Sequence, residues 1–558
     1  MSAFNFAAAL RQFSFRPRLL THLRSYTRAD FAADLASGIT VGIVALPLAM
    51  AFGIASGVRP EQGIITAIIG GFVISALGGS RVQIGGPAGA FVALLYGIAE
   101  KYGVANLLIA TMMAGVLLFM MGAFKLGSLV RFIPVSIVIG FTAGIAIIIG
   151  ISQVKDLLGL AIPKSPANFF SQISVIVQYA HTVNWAALAL GLIALVAIVF
   201  WPVAQAQKTS RWKRVTSKLP STIVVLVVSS LVVWLFNIPV DTIGTKFGEL
   251  PRGLPIPAIP TFDWETAQNL VSPTIAIALL CAIESLLCAR VADGLIADRH
   301  DPNQELMAQG IANFIVPFFG GIAATGTIAR TMTNVRSGAR SPVAGMVHAV
   351  ALFLIILVAA PLAGHIPLAA LAAILLWVAY SMGEWKEFLR LKQFSRFYRA
   401  TLLSTFFLTV VFDLVVAIEV GLMLSSLFFI YRIASLTKIE KIPLPKNFVS
   451  SKRVGAYRLF GSLFFGSVTK LEDLLDPARE LPEVVILECH QLIHIDTTGF
   501  DAFIDLFSLI QARGGRLILA EVNEQPFALM KRANFFDSIG EENVVNTIDD
   551  AFKLAGNR

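Results

Sequence analysis

The chain has 558 residues, of which 56% are hydrophobic and 14% charged, with a formal net charge of +9. A soluble domain carries about 25% charged residues, so this composition excludes an ordinary soluble enzyme and points to a polytopic α-helical membrane protein. The basic residues sit in short segments between apolar runs rather than along one groove, so no nucleic-acid partner is expected.

Residues 1–34 are mixed and basic (Arg11, Arg16, Arg18, Arg24, Arg28) and lack the short apolar core of a signal peptide. They read as a cytoplasmic N-terminal segment, and the first apolar span is expected to stay in the mature protein. Span-length apolar runs recur over residues 35–435, among them "LASGITVGIVALPLAMAFGIASG" (35–57), "SIVIGFTAGIAIIIGIS" (136–152) and "TIAIALLCAIESLLCA" (274–289). A lipid-spanning helix needs roughly 20 predominantly apolar residues. Clusters at Lys208–Lys218 and Lys386–Arg399 mark cytoplasmic loops by the positive-inside bias, and the proline-rich loop 237–269 reads as outward-facing.

Two interruptions break this pattern at corresponding places. "GGSRVQIGGPAGAFV" (78–92) follows the apolar run "FVISAL", and "GGIAATGTIARTMTN" (320–334) follows "FIVPFF". Aligning their leading Gly-Gly pairs sets Pro87 opposite Ala329, Ala88 opposite Arg330 and Gly42 opposite Glu284, which divides the span region into repeats of about 35–236 and 270–435. Inverted repeats with a site formed by discontinuous helices are a common secondary-transporter plan. Non-helical backbone at membrane depth is tolerated where it lines a cavity or is buried in protein. A half-helix starting there aims unpaired N–H groups and its positive dipole end at the cavity. Residues 88–92 and 329–333 are the expected first turns, with Pro87 suited to a helix start and Arg330 adding a full charge. Close helix packing is the competing reading of such glycine-rich segments.

Glu284 is the only charged residue from 274 to 289. A charge at mid-span costs roughly 2.5–3.5 kcal/mol on insertion scales, so it reads as functional: a proton or cation site, or a partner of substrate. A carboxylate withdrawn from water takes up a proton readily. Glu419 also interrupts an apolar run and reads as structural. Cys281, Cys288 and Cys489 form no disulfide framework or metal set and read as small buried hydrophobes. No Walker motif is present, and nothing marks an enzyme or a resident cofactor.

After about residue 435 the composition changes. A linker (436–454) with Pro443 and Pro445 leads to strand-like "RVGAYRLFGSLFFGSV", "EVVILECHQLIHID" and "RGGRLILAEV", with helix-like "TTGFDAFIDLFSLIQAR" and "EQPFALMKRANFF" between and after. This predicts a small α/β domain over 455–558.

At these residues the chain resembles the sulfate permease (SulP) family of anion transporters over nearly its whole length. "ADLASGITVGIVALPLAMAFGIASGVRPEQGI" is similar to the family's first span, "GGSRVQIGGPAGAF" to its third, "AIESLLCARVADG" to its eighth and "IARTMTNVRSGARSP" to its tenth; "HIDTTGFDAF" resembles the marker loop of a STAS domain. The resemblance implies fourteen spans in two inverted repeats of seven, core and gate domains in a uracil-transporter-like fold, an elevator motion, a homodimer, and a bacterial inner membrane with both termini cytoplasmic. It implies an anion bound between Pro87, Ala88, Gly89 and Ala329, Arg330, Thr331, with Leu48 where many members carry Gln, and Glu284 at the acidic coupling position. Cys288 stands where sodium-coupled members place a hydroxyl; a thiol is a poor ligand for a hard cation, which favours proton over sodium coupling. "IESLLCA" and "NVRSGARSP" look most like carriers of four-carbon dicarboxylates such as succinate and fumarate; bicarbonate and sulfate carriers, an uncoupled anion channel and an anion-sensing signalling protein are the alternatives. In related STAS domains a hydroxyl of the Asp-x-Ser-Gly loop is phosphorylated. Here the loop is Asp496-Thr497-Thr498-Gly499, so Thr498 is either a phosphorylation site or a helix cap, and the domain could contact a cytoplasmic protein.

Overall fold

The computed structural model describes residues 15–128, 134–163, 165–166, 168–201, 221–249, 251–258, 260, 264–412, 414–446, 448, 453–471 and 482–556. The basic cluster Lys208–Lys218 therefore lies outside the described residues. The chain divides into two compact units, Met1–Leu422 and Met423–Arg558.

Among the described residues the first unit is mostly helical, its longer helices falling in two successive runs, with a further helix, Phe169–Gln178, within the first. The first run is α1 (Arg28–Ala55), α2 (Pro60–Leu77), α3 (Val92–Tyr102), α4 (Val104–Ala123), α5 (Val135–Leu158), α6 (Trp185–Val199) and α7 (Ser221–Phe236). The second is α8 (Val271–Ile296), α9 (Pro302–Ile315), α10 (Ile328–Arg336), α11 (Val343–Ala363), α12 (Leu368–Met382), α13 (Arg396–Val411) and α14 (Leu414–Leu436), whose C-terminal part belongs to the second unit. Among the described residues, six helices are long and apolar enough to cross a membrane alone. The 11 residues of α3 and the 9 of α10 are not, since a helix rises about 1.5 Å per residue against a hydrocarbon core of about 30 Å. Extended arms complete those two crossings, at 78–88 before α3 and 320–327 before α10.

Local chemistry sets these boundaries. Thr27 and Asp30 form a reciprocal capping box that starts α1. Pro60 occupies the first turn of α2, whose middle, Thr66–Gly70, opens into a π-helical turn facing the second arm. Small residues let backbones touch. A Cβ at Gly115 of α4 would lie 2.6 Å from the Phe314 backbone nitrogen, and one at Gly310 of α9 would lie 2.5 Å from that of Phe119. Two helix groups result: α1, α2, α4, α8, α9 and α11 pack together, and α5, α6, α7, α12 and α13 pack together.

A short helix, Arg18–Leu23, docks the N-terminal segment on the first group. The Arg18 backbone N–H donates to Gly78 O at 2.9 Å, and its guanidinium pairs with Asp298 at 2.7 Å. Arg18→Ala is expected to leave the spans intact but expose the segment before Thr27 to trypsin, read as faster N-terminal clipping in membranes.

The second unit is a sheet of order β3-β4-β5-β7-β8, comprising β3 (Lys438–Ile442), β4 (Val454–Leu463), β5 (Val484–Glu488), β7 (Arg516–Ala520) and β8 (Val544–Val545); β6 (Leu492–Ile495) continues alongside β4. Only the β3–β4 pairing is antiparallel. Helices α15 (Thr497–Ala512) and α16 (Glu524–Arg532) cover one face through Phe503, Leu506 and Met530. Helix α17 (Ile548–Gly556) covers the other through Ala551 and Phe552. The expected linker 436–454 is corrected here: it carries β3, whose "KIEKI" is too polar to announce an edge strand. The capping expectation for Thr498 is corrected too. Asp496 caps α15, accepting from Gly499 N–H at 2.8 Å and Phe465 N–H at 3.3 Å, and Thr498 is exposed in the first turn. Asp496→Ala should cost about 0.5–2 kcal/mol of this domain's stability, read as faster amide exchange over 497–503 in the full-length protein.

Candidate functional site

The two extended arms meet at mid-bundle in a two-stranded antiparallel pair, β1 (Gly85–Gly86) and β2 (Thr325–Gly326), with Gly85 opposite Gly326 and Gly86 opposite Thr325. The crossing exists because each arm leaves its backbone groups to be met by the other repeat. Ile84 O accepts from the Thr327 backbone N–H (2.9 Å) and hydroxyl (3.1 Å), Ile84 N–H donates to Thr331 Oγ1 (3.0 Å), and Asn334 Nδ2 donates to Val82 O (2.9 Å). On the second arm, Ile322 N–H donates to Thr66 Oγ1 in the π-turn of α2, and Asn313 brackets Ala324, accepting from its N–H and donating to its carbonyl.

Each arm then turns into a helix. Ala88 is the N-cap of a 3-10 turn, Gly89–Phe91, that runs into α3; Thr327 is the N-cap of α10. The pairing expected from sequence is shifted. Taking the two caps as equivalent sets Gly89 opposite Ile328 and Phe91 opposite Arg330, because the first arm is longer. Pro87 is likewise corrected: it precedes the cap, in extended chain, and does not occupy the first helical turn. The first turn of each helix leaves N–H groups without intrahelical acceptors, those of Gly89 and Ala90 on one side and Ile328, Ala329 and Arg330 on the other. Both N-caps lie within two residues of the β1–β2 pair, and the start of a helix is suited to an anion.

Around that pair the expected residues divide by role. Pro87, Ala88 and Gly89 are buried, whereas Ile328 is 38% exposed and Ala329 is also exposed. Gly89 is closely packed: a Cβ there would lie 2.8 Å from Met382 Sδ and 3.2 Å from the Phe52 ring, so both side chains would have to shift to admit one. Phe52 lies one helical turn beyond Leu48, itself 7% exposed on α1. Met382 ends α12, in the other helix group, so the α3 start sits at the seam between groups. Neither Phe52 nor Met382 has a sequence signal that sets it apart from an ordinary core residue.

Arg330 is 2% exposed, and neither Nη reaches a hydrogen-bond partner among the described residues. Its guanidinium lies under the crossing. Gly86 has φ +152°, and a Cβ there would stand 2.1 Å from Arg330 Nη1. The charge is thus aimed at the β1 backbone without a carboxylate beside it. Thr331 does not turn to the cavity: its Oγ1 accepts from Ile84 N–H and from the Cys288 thiol at 3.2 Å. Thr331 and Cys288 therefore brace the first arm, which corrects the expectation of direct ligand contact for Thr331 and leaves Cys288 the buried residue it was expected to be. Glu284, on α8, is half-buried and has no hydrogen bond or ion pair among the described residues. Glu419, read from sequence as structural, lines a cleft of about 1220 Å³ with Gln62, Val92, Tyr96, Gln153 and Lys155. The Val92 contact brings that cleft to the first turn of α3.

Comparison with known proteins bears on the family and the fold. The sulfate permease family model matches residues 31–405, and the STAS domain model matches residues 446–551. A Bacillus subtilis (strain 168) protein named "Putative sulfate transporter YvdB" is 41% identical over 510 residues, covering 90% of this chain and 93% of its own. "Bicarbonate transporter BicA" of a Picosynechococcus species is 32% identical over 407 residues, covering 70% of this chain and 69% of its own. The solved transmembrane domain of a cyanobacterium bicarbonate transporter BicA superposes with TM-score 0.61 at 30% identity, covering 72% of this chain and 98% of that one. The murine Slc26a9 anion transporter in its inward-facing state superposes with TM-score 0.86 at 18% identity, covering 99% and 96%, a likeness of fold.

Proposed function

Because this chain belongs to the sulfate permease family and is a multi-pass membrane anion transporter with a C-terminal STAS domain, we propose that it is a proton-coupled carrier of a small oxyanion, sulfate or bicarbonate foremost. The observation that carries the reading is the β1–β2 pair directly before the α3 and α10 starts, with the Arg330 charge against Gly86, at the seam between two separately packed helix groups. The anion is held by the free N–H groups of Gly89, Ala90, Ile328 and Ala329, with Pro87 and Ala88 shaping the approach and Leu48 and Phe52 closing the α1 side. Each helix end contributes about 0.3–1 kcal/mol when exposed and up to about 2 when partly buried, so binding is weak enough for release.

Glu284 supplies coupling. It is a lone carboxyl within a span, free of structural partners, and a channel has no need of one. Movement of the first helix group against the second, an elevator step, carries the site across the membrane, with both termini cytoplasmic in a bacterial inner membrane. A homodimer, and a cytoplasmic protein partner for a STAS domain phosphorylated on Thr498, belong to the same reading. The four-carbon dicarboxylate reading rests on "IESLLCA" and "NVRSGARSP" and stands second to the relatives named for sulfate and bicarbonate.

Uptake into proteoliposomes with an outside-acid pH gradient tests this, using radiolabelled sulfate, bicarbonate, succinate and chloride in mutual competition. Gradient-stimulated sulfate or bicarbonate uptake is the expected result. Succinate uptake unaffected by either oxyanion would move the dicarboxylate reading to the front, and uptake indifferent to the gradient would remove proton coupling.

A further inference from the structure

We propose that Glu305 is a positioning residue for the anion site, setting where α3 begins by holding the arm that precedes it. The inference rests on the anion-site reading above and adds a residue to it. Glu305, on α9, is 0% exposed and pairs with no cation among the described residues. Four donors meet its charge instead. Oε2 accepts from the backbone N–H groups of Gly79 (2.9 Å) and Ser80 (3.2 Å); Oε1 accepts from Ser285 Oγ (3.1 Å) and Gln309 Nε2 (2.9 Å).

Two of these donors are the start of the first arm itself. A third, Ser285, reaches the middle of the arm. Its hydroxyl accepts from Gln83 Nε2 at 2.9 Å and from Gln309 Nε2 at 2.9 Å, so its single proton is directed to Glu305. The Gln83 side chain in turn lies across β2, where a Cβ at Gly326 would stand 1.6 Å from Gln83 Nε2. One carboxylate therefore ties both ends of the segment 79–83 to α9, α8 and the opposing strand. The arm has no room to settle elsewhere: a Cβ at Gly79 would lie 2.1 Å from Asp301 O.

All four ligands of Glu305 are donors, and this makes the carboxylate specific. A carboxamide would turn its own N–H₂ against two of them, leaving buried donors unmet. The position of β1 against β2, and hence the spacing of the two helix starts, would shift. Glu305 would touch no substrate in this role; it acts through the arm. Ser285 adjoins Glu284, so the same brace fixes the backbone that presents the coupling carboxyl.

The test compares Glu305→Gln and Ser285→Ala with Asp34→Asn in the full-length protein. Asp34 is an equally buried carboxylate that accepts from Tyr26, Arg340 and Ser341 and, among the described residues, holds no bond to the arm 78–88 itself. Radiolabelled sulfate and bicarbonate uptake gives KM and maximal rate, and thermal unfolding in detergent gives stability. Glu305→Gln and Ser285→Ala are expected to raise KM by about tenfold or more with a smaller change in maximal rate, whereas Asp34→Asn lowers thermal stability at unchanged KM. Should Glu305→Gln fail to fold, Ser285→Ala, which keeps the carboxylate, decides by the same KM criterion. An unchanged KM in the folded variants, or a KM change matched by Asp34→Asn at equal loss of stability, overturns the proposal. Gly86→Ala separates the two levels: if it raises KM and the Glu305 variant does not, only the positioning role fails, and if neither raises KM, the anion-site reading falls with it.

Discussion

Gly86→Ala is expected to reduce anion uptake by about tenfold or more while the protein still folds into the membrane, because a strained backbone residue costs on the order of 1–3 kcal/mol. Two independent effects act at this position. Its φ of +152° is one that L side chains rarely adopt, and its Cβ would stand 2.1 Å from Arg330 Nη1. Arg330 is buried on all sides, so its guanidinium cannot swing into solvent to make room. Either the arm retreats and parts the two helix starts, or the guanidinium moves and its charge leaves the site. Both outcomes weaken the anion field. Gly150→Ala is the control, since a Cβ there meets nothing within 4 Å. Radiolabelled sulfate and bicarbonate uptake, normalised to inserted protein, gives the result. Wild-type KM and rate in Gly86→Ala would show that the Arg330 contact beneath the crossing carries no part of anion handling.

Glu284→Gln is expected to abolish stimulation of uptake by an outside-acid gradient and to leave anion binding within about threefold of wild type, since an uncharged isostere removes the titratable proton but not the helix-end N–H groups. The sign is definite. In the wild type, uptake rises as the outside is made more acidic; in the variant it does not respond, because a carboxamide neither binds nor releases a proton over that range. The substitution should be well tolerated structurally, as Glu284 holds no hydrogen bond or ion pair among the described residues that a carboxamide could break. Anion binding measured by thermal shift in detergent separates loss of coupling from loss of the site. Retained gradient stimulation in Glu284→Gln would assign coupling elsewhere, with Glu419 in the cleft as the next carboxyl to test.

The membrane class, the mid-span carboxyl and the α/β character of the C-terminal domain were legible in the chain, because each rests on signals that act locally; the number of spans was implied only by the family resemblance. Apolar run length reports burial in lipid, and strand and helix spacings in 455–558 report burial against one core. The two glycine-rich interruptions were legible as helix breaks for the same reason. What they could not reveal was register. Pairing their Gly-Gly starts misplaced Arg330 relative to Ala88, since the length of an arm is set by the bonds it finds in the other repeat, and those partners (Thr331, Asn334 and Glu305 for the first arm, Thr66 for the second) lie hundreds of residues away. Thr331 looked like a ligand because ligand and brace use the same polar atoms; only the position of Ile84 N–H tells them apart. Glu305 carried no signal at all, being a charged residue in the first turn of a helix, where acidic side chains are common on exposed surfaces.

By itself, then, the sequence determined that this is a repeat-built membrane protein with two broken crossings, a buried acid and an appended α/β domain, because hydropathy and helix-breaking residues act over a few turns of chain. Only the tertiary structure decided that the breaks meet as β1 and β2, that Arg330 lies beneath Gly86 rather than beside an acid, and that Phe52 and Met382 close on Gly89. Those facts depend on backbone groups withdrawn from water finding partners across the bundle, a condition satisfied by the fold as a whole and by no segment alone.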